Sequence, residues 1–394
     1  MVEREYPFEI HPVNDGPSIV DLSRVFANLV GTTKSLVMTK NADLMASMIG
    51  EYRNTVFVLA DGLGCHFVDQ LDEGSFLLDK MVTRINTVFP STTASALTTF
   101  ATGLWPSEHA ITGWWVYLPL IKEPVTVLTG ERKRDSKDLT ELGIESKDLY
   151  TEESILASSK TRVVGIVPRN LAASVFTRYT LGNGKVVYYD SIQEAFEIAV
   201  AASKTSSKTG SFVYLYIPDV DAAAHATGIH SEQTLNAVTQ LNSLCEQMSG
   251  NIDVDTRVVI SADHGHLEAP ESGKVRIDPG NGFDELLLSE PSGDARVLYF
   301  RPKPACGDRL KTFLCEILGV NFAVIGLNEF LELGVLGPNV STICLDRLGD
   351  VIAISKGAFA LEYGIYDNGM SMMDLKSVHS GLSRQEMEVP LIVF

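Results

Sequence analysis

Short runs of apolar, often β-branched residues alternate along the chain with longer stretches whose apolar positions recur every three to four residues. The short runs fall at 55–60, 83–88, 162–167, 212–217, 257–261, 295–300 and 351–354. Near-continuous apolar runs of this length are the pattern of strands covered on both faces. The longer stretches, at 93–102, 191–204, 231–249, 307–318 and 327–333, each begin near a capping or small polar residue. Strand then helix, repeated, predicts an α/β fold: a mostly parallel central sheet with helices on both faces, a three-layer sandwich. Two stretches fit the alternation less well. Residues of about 118–160, rich in charge and Ser/Thr, and of about 267–345, with their own strand and helix, are expected as cap insertions in a single domain spanning 1–394. Within the first, 135–154 is dense in charge and weak in apolar period, and is expected as a mobile solvated loop.

Composition narrows the function classes. With 45% hydrophobic and 21% charged residues over 394 positions, a sizeable core can form. The formal charge of −18, from 50 acidic against 32 basic residues, disfavours broad attraction to a nucleic-acid backbone or an anionic membrane. An anionic substrate would still need local positive charge, which bound divalent cations can supply. The five cysteines, Cys65, Cys245, Cys306, Cys315 and Cys344, are odd in number and form no C-x-x-C pair, so they read as reduced thiols. The first residues lack a basic start followed by an apolar run, and no stretch of 18 apolar residues occurs. A soluble, cytoplasmic location is the expectation.

Three of the short runs end in carboxylates, at the end of a parallel strand where α/β sites lie. The first, ending Leu59-Ala60, leads into Asp61-Gly62-Leu63-Gly64. Alone, Asp61 reads more readily as a turn or cap. The run at 212–217 leads into Asp219-Val220-Asp221-Ala222-Ala223-Ala224-His225. Asp221 and His225, four apart, share one face of a helical turn, and the alanines leave room for a metal, although a surface pair would look the same. The run at 257–261 leads into Ala262-Asp263-His264-Gly265-His266, where Gly265 permits the sharp turn that lets adjacent side chains reach one ion. Late in the chain, His379 in Val378-His379-Ser380-Gly381 precedes a final apolar run at 389–394. Its weight comes from the rest: three strand-end carboxylates with His225 and His264 leave two divalent ions one nitrogen ligand short. A fifth segment, Phe89-Pro90-Ser91-Thr92-Thr93-Ala94-Ser95, puts three hydroxyls at a helix start. Each is ordinarily an N-cap, but the same geometry offers free N–H groups to a phosphate and a hydroxyl nucleophile.

The ordered set resembles the alkaline-phosphatase superfamily, and within it most resembles the type I phosphodiesterase/nucleotide pyrophosphatase family. The marks are Ala60-Asp61-Gly62, the hydroxyl run before Thr102-Gly103-Leu104-Trp105-Pro106-Ser107-Glu108-His109, Asp221 to His225, Ala262-Asp263-His264-Gly265, and His379. The resemblance implies one ion on Asp221, His225 and His379, and another on Asp61, Asp263, His264 and the nucleophile. It selects Thr93, nine residues before the threonine of Thr102-Gly103, with Thr92 as the fallback. Zinc suits these ligands, with manganese or iron as alternatives. The implied activity is metal-dependent hydrolysis of phosphodiester or nucleotide pyrophosphate bonds through a phospho-threonine; the alternatives are a phosphomonoesterase and a non-catalytic metal or nucleotide binder. The implied partner is a small phosphodiester or nucleotide, without membrane or nucleic-acid scaffold, and homo-oligomerisation is left open.

Departures from the family pattern sharpen this. Trp114 stands where phosphodiesterase relatives carry an asparagine that holds a phosphate oxygen, so either another group, such as Asn170 or a backbone amide, takes its place, or the substrate's phosphate sits differently. No arginine lies in 92–101 to grip a monoester's extra charge, which favours diesters, and no Cys/Ser-x-Pro-x-Arg motif surrounds Ser91, which disfavours sulfatase activity. Trp114, Trp115 and Tyr117 could stack on a base, with core packing the favoured reading.

Overall fold

The computed structural model describes residues 7–204, 209–280, 282–364 and 371–394. Strands β1 (Asn54–Ala60), β2 (Met81–Asn86), β3 (Arg162–Pro168), β4 (Lys185–Tyr189), β5 (Ser211–Ile217), β6 (Thr256–Ser261) and β7 (Glu388–Val393) form a seven-stranded sheet. Their order is β2-β7-β6-β1-β5-β3-β4. β1 pairs in parallel with β5 and β6, and β3 with β5 and β4, whereas β7 runs antiparallel to both β2 and β6. Every residue of β1 and β5 is buried, which accounts for their unbroken apolar sequence. The result is a mixed α/β architecture built on a large, mostly parallel sheet.

Helices α1 (Thr93–Thr102), α2 (Ile192–Ser203), α3 (Asp219–Thr227) and α4 (Glu232–Ser249) accompany it. Ser191 and Ser231 cap α2 and α4 by accepting from the backbone N–H of Glu194 and Thr234, and α1 ends at Gly103 in the left-handed region. Phe57 of β1 holds α1 and the helix Ile19–Val30 to the sheet. Its ring centre lies 4.5 Å from that of Phe26 and 5.1 Å from that of Phe100.

Two of the expected strands lie elsewhere. The run at 295–300, expected as the strand of a cap insertion, and the run at 351–354, read with the parallel core, belong to a second, wholly antiparallel sheet. Its order is Phe322–Gly326, Val351–Ser355, Val297–Phe300, Ser292–Asp294, Trp115–Leu118, Glu123–Thr126 and Glu131–Arg132. The cause is local: Ser292–Asp294 and Val297–Phe300 are joined by a tight turn, which can only bring strands back antiparallel. Residues 115–132 and 292–355 meet in this sheet through Gly293 and Trp115. The charged segment 135–154 is not a plain solvated loop either. It carries the turn Leu139–Leu142 and the helix Ser146–Leu149, and buries Leu139, Ile144, Leu149 and Tyr150. Its few apolar residues are spaced irregularly in sequence but collect on one side once folded.

Candidate metal centre

Strand order explains why distant residues meet. β6, β1 and β5 are neighbours, so their carboxyl ends lie side by side at the usual inter-strand spacing of about 4.8 Å. Asp61 follows β1, Asp263 and His264 follow β6, and Asp221 and His225 sit in α3 directly after β5. The backbone ties two of these ends together: Asp61 N–H donates to Ile217 O at 2.8 Å and Asp221 N–H to Asp61 O at 3.1 Å. β7 is antiparallel, so its beginning lies where its neighbours end, and the loop before it delivers His379 to the same place. That loop is fastened to the entrance of α1. Ser380 N–H donates to Ser91 O at 2.8 Å, and Ser91 Oγ donates to Gly381 O at 2.8 Å.

All seven residues singled out in the sequence converge. Thr93 Oγ1 lies 3.2 Å from His264 Nε2. His264 Nε2 is 3.3 Å from Asp263 Oδ2 and 3.5 Å from Asp61 Oδ1. Asp221 Oδ1 is 3.3 Å from His225 Nε2 and 3.9 Å from His379 Nε2, and the two imidazole nitrogens are 3.2 Å apart. Donor atoms bound to one zinc at about 2.0–2.2 Å stand roughly 3–3.7 Å from one another, so these spacings fit ligands that share cations. The buried oxygens agree: Asp61 Oδ1, Asp221 Oδ1 and Asp263 Oδ2 have no hydrogen-bond partner, whereas such atoms are normally satisfied. The residues fit divalent cations.

Electrostatics point the same way. Burial, with the charges of Asp263 and Asp221, pushes the Asp61 carboxyl well above the usual range, against the hydrogen bond it accepts from the Tyr216 hydroxyl. Burial also opposes charge at Asp221, but His225 and His266 outweigh it and hold that carboxyl well below the usual range. His379 is held well below its ordinary value by burial and by the neighbouring histidines, which keeps it neutral as a ligand must be.

Thr92, at the N-cap position of α1, does not cap it. Its hydroxyl donates to Asp294 Oδ2 at 2.6 Å instead, so the first-turn N–H groups receive no side-chain cap. Thr93 opens onto a cleft of about 430 Å³, whose walls include Asp61, Asp221, Leu97, Trp114, Phe176 and Asn170. Asn170 and Trp114 thus share the cleft with Thr93. Trp115 and Tyr117 are occupied elsewhere: Lys133 Nζ lies 4.6 Å from the Trp115 ring centre, and the Arg301 guanidinium 3.6 Å from that of Tyr117. Those two aromatics serve packing. His109, part of the sequence motif, is a buried structural histidine whose Nδ1 accepts from Ile111 N–H and whose Nε2 pairs with the Thr99 hydroxyl.

Three contributors were not singled out in the sequence. Asp294 and Tyr216 support Thr92 and Asp61, and His266 lies within the cluster, 3.1 Å from Asp221 Oδ1. His266 was visible as the second histidine of Asp263-His264-Gly265-His266; nothing local marks the other two. A further support is the buried ion pair of Arg296 and Glu386, at 2.6 Å. Glu386 also accepts from Gly381 N–H at 2.8 Å and from the Ser383 hydroxyl, which fixes the His379 loop. Glu386→Gln is expected to destabilise the protein by about 3–5 kcal/mol, because the buried Arg296 charge loses its counter-ion. A lower urea midpoint at unchanged slope checks this.

Carboxylates, imidazoles and a hydroxyl thus gather at the carboxyl end of a mostly parallel sheet. The chain belongs to the type I phosphodiesterase/nucleotide pyrophosphatase family, whose model matches residues 55–312, and is a phosphoric ester hydrolase. The match includes every candidate ligand except His379. No curated protein matches the sequence. Among solved structures, murine ectonucleotide pyrophosphatase/phosphodiesterase 5 is similar at 15% identity and a TM-score of 0.63, over 86% of this chain and 87% of that one. An inactive form of the same murine protein in complex with AMP is similar at 15% identity and a TM-score of 0.61, with the same coverage. Phosphonoacetate hydrolase from Sinorhizobium meliloti 1021, in complex with phosphonoformate, is similar at 19% identity and a TM-score of 0.61, over 87% and 90% of the two chains. At such identities the likeness is one of fold.

Proposed function

We propose that this phosphoric ester hydrolase is a metal-dependent phosphodiesterase or nucleotide pyrophosphatase that works through a phospho-threonine on Thr93. The observation that carries the reading is the meeting of Thr93 Oγ1, His264 Nε2 and three partnerless carboxylate oxygens, with Thr93, Asp61 and Asp221 lining one cleft. One cation would be held by Asp221, His225 and His379, and another by Asp61, Asp263, His264 and Thr93; zinc is the first choice and manganese or iron the alternatives. When bound, the cations supply the positive charge that favours the threonine alkoxide and the departing oxygen. Thr93 Oγ1 forms the new bond to phosphorus as the bond to the leaving oxygen breaks, and water then cleaves the phospho-threonine to free the hydroxyl again. The uncapped N–H groups at the start of α1 face the phosphate oxygens. Asn170 is our candidate for the oxygen contact that Trp114 does not make.

The inactive murine relative that holds AMP carries a threonine-to-alanine substitution, which supports a threonine role here. Diesters are favoured over monoesters because the cleft beside Thr93 has apolar walls, Leu97, Leu128, Val167, Leu171 and Phe176, that suit an organic substituent on phosphorus. We further read the chain as one three-layer catalytic domain capped by the second sheet, and place it in the cytoplasm on the grounds of its five unpaired cysteines. Among the described residues no helix is long and apolar enough to cross a membrane.

The test is hydrolysis of bis-p-nitrophenyl phosphate and p-nitrophenyl phosphate by purified protein with zinc or manganese. The diester is expected to be the better substrate, chelation to abolish turnover, and added metal to restore it. Protein that bound no metal and left the diester intact would end the proposal, and faster cleavage of the monoester would replace it with a phosphomonoesterase.

A further inference from the structure

The ligand sets above leave one histidine of the cluster unused. His266 is fully buried, yet its Nε2 has no hydrogen-bond partner, and neither has Asp221 Oδ1 at 3.1 Å from it. With a ring nitrogen of His225 these two atoms all lie within 4.8 Å of one another, close enough to hold one cation between them.

The other faces of the rings carry the same message. His225 Nδ1 faces Ser377 O at 2.8 Å, His264 Nδ1 faces Gly265 O at 3.1 Å, and His379 Nδ1 faces Ser91 O at 3.0 Å. Carbonyls only accept, so each of these rings keeps its proton on Nδ1 and turns an Nε2 lone pair to the centre. His266 Nδ1 lies 3.0 Å from the hydroxyl of Ser377, the residue whose carbonyl orients His225. By donating to that hydroxyl, His266 also turns an Nε2 lone pair inward. The His225 and His266 rings are 4.9 Å apart at 81°, and the His266 and His379 rings 5.4 Å apart at 85°. Three imidazoles therefore reach Asp221 from separate directions. Gly62 makes the approach feasible: a Cβ there would stand 2.6 Å from His266 Nε2 and 2.9 Å from Asp221 Cα.

We propose that His266 Nε2 is a further ligand of the cation held by Asp221, His225 and His379, giving that cation three imidazoles and one carboxylate. This rests on the metal reading of the site. The two ions then differ in kind. The imidazole-rich set supplies four protein donors, so that a substrate oxygen would enter as a fifth, a number zinc reaches in catalysis, whereas the set of Asp61, Asp263 and His264 is richer in carboxylate and includes the reacting hydroxyl. The first ion resists chelators and the second exchanges.

The intact protein loaded with cobalt(II) and observed by proton NMR tests this. A histidine bound through Nε2 keeps an exchangeable Nδ1 proton, which the paramagnetic ion shifts far outside the ordinary range. Four such signals that vanish in heavy water are expected, from His225, His264, His266 and His379. Three in protein shown by metal analysis to hold two ions would overturn the proposal and leave the metal reading intact; failure to bind cobalt, zinc or manganese at all would overturn both. His266→Gln supplies the second arm, because glutamine can donate to Asp221 but lacks the imidazole lone pair. Chelator competition is expected to show the tighter ion weakened by more than about 100-fold, the loss exceeding that for an outer-shell partner, with the other ion retained. Unchanged affinity in this variant would reduce His266 to orienting Asp221.

Discussion

Replacing Thr93 by alanine is expected to lower kcat/KM for a diester by at least about 10³-fold while the protein keeps its fold and its metal. The substitution removes the hydroxyl that lies 3.2 Å from His264 Nε2 and leaves Asp61, Asp263 and His264 in place. Alanine is the best helix former, so the first turn of α1 is not weakened. Steady-state hydrolysis measured beside metal content by elemental analysis separates the two effects. Turnover within tenfold of the unmodified protein would move the nucleophile elsewhere, and Thr92→Ala would then show whether the neighbouring hydroxyl carries it. The two threonines are physically unlike: Thr92 donates to the buried Asp294, whereas Thr93 opens on the cleft.

Asp263→Asn should act through the metal instead. Asp263 Oδ1 accepts from the backbone N–H groups of Gly62 and His264, both at 3.0 Å, and an asparagine oxygen can keep both bonds. Its amide N–H₂ must then occupy the place of Oδ2, turning donors toward the spot where a cation would sit, 3.3 Å from His264 Nε2. A folded protein that has lost one metal equivalent and more than about 10²-fold in turnover is expected, exceeding the usual effect of an outer-shell change. Circular dichroism with metal analysis checks it. Full metal content and normal activity would exclude Asp263 from the ligand set.

Much of the candidate site was legible because its residues follow strands buried on both faces. Apolar runs mark β1, β5 and β6, and the first polar residue after each one stands at the sheet edge. β4 was missed although Lys185–Tyr189 is rich in Val and Tyr; it is a short, largely exposed strand at the edge of the sheet. The run at 351–354 is a strand but belongs to the second sheet rather than the parallel core, since an apolar stretch carries no record of its partner's direction. Asp294, Tyr216 and the pair Arg296–Glu386 are long-range partners, joined to the site by folding rather than by spacing. His266 lay in plain view, but adjacent spacing made His264 sufficient for the motif.

The position of β7 separates the order of synthesis from the order of assembly. β2 and β6 touch only through a strand that follows both of them by more than a hundred residues. Until that strand inserts, the sheet has a gap and the His379 loop lacks the anchor that follows it. The ligand set is therefore complete only once residues 388–393 have closed the sheet.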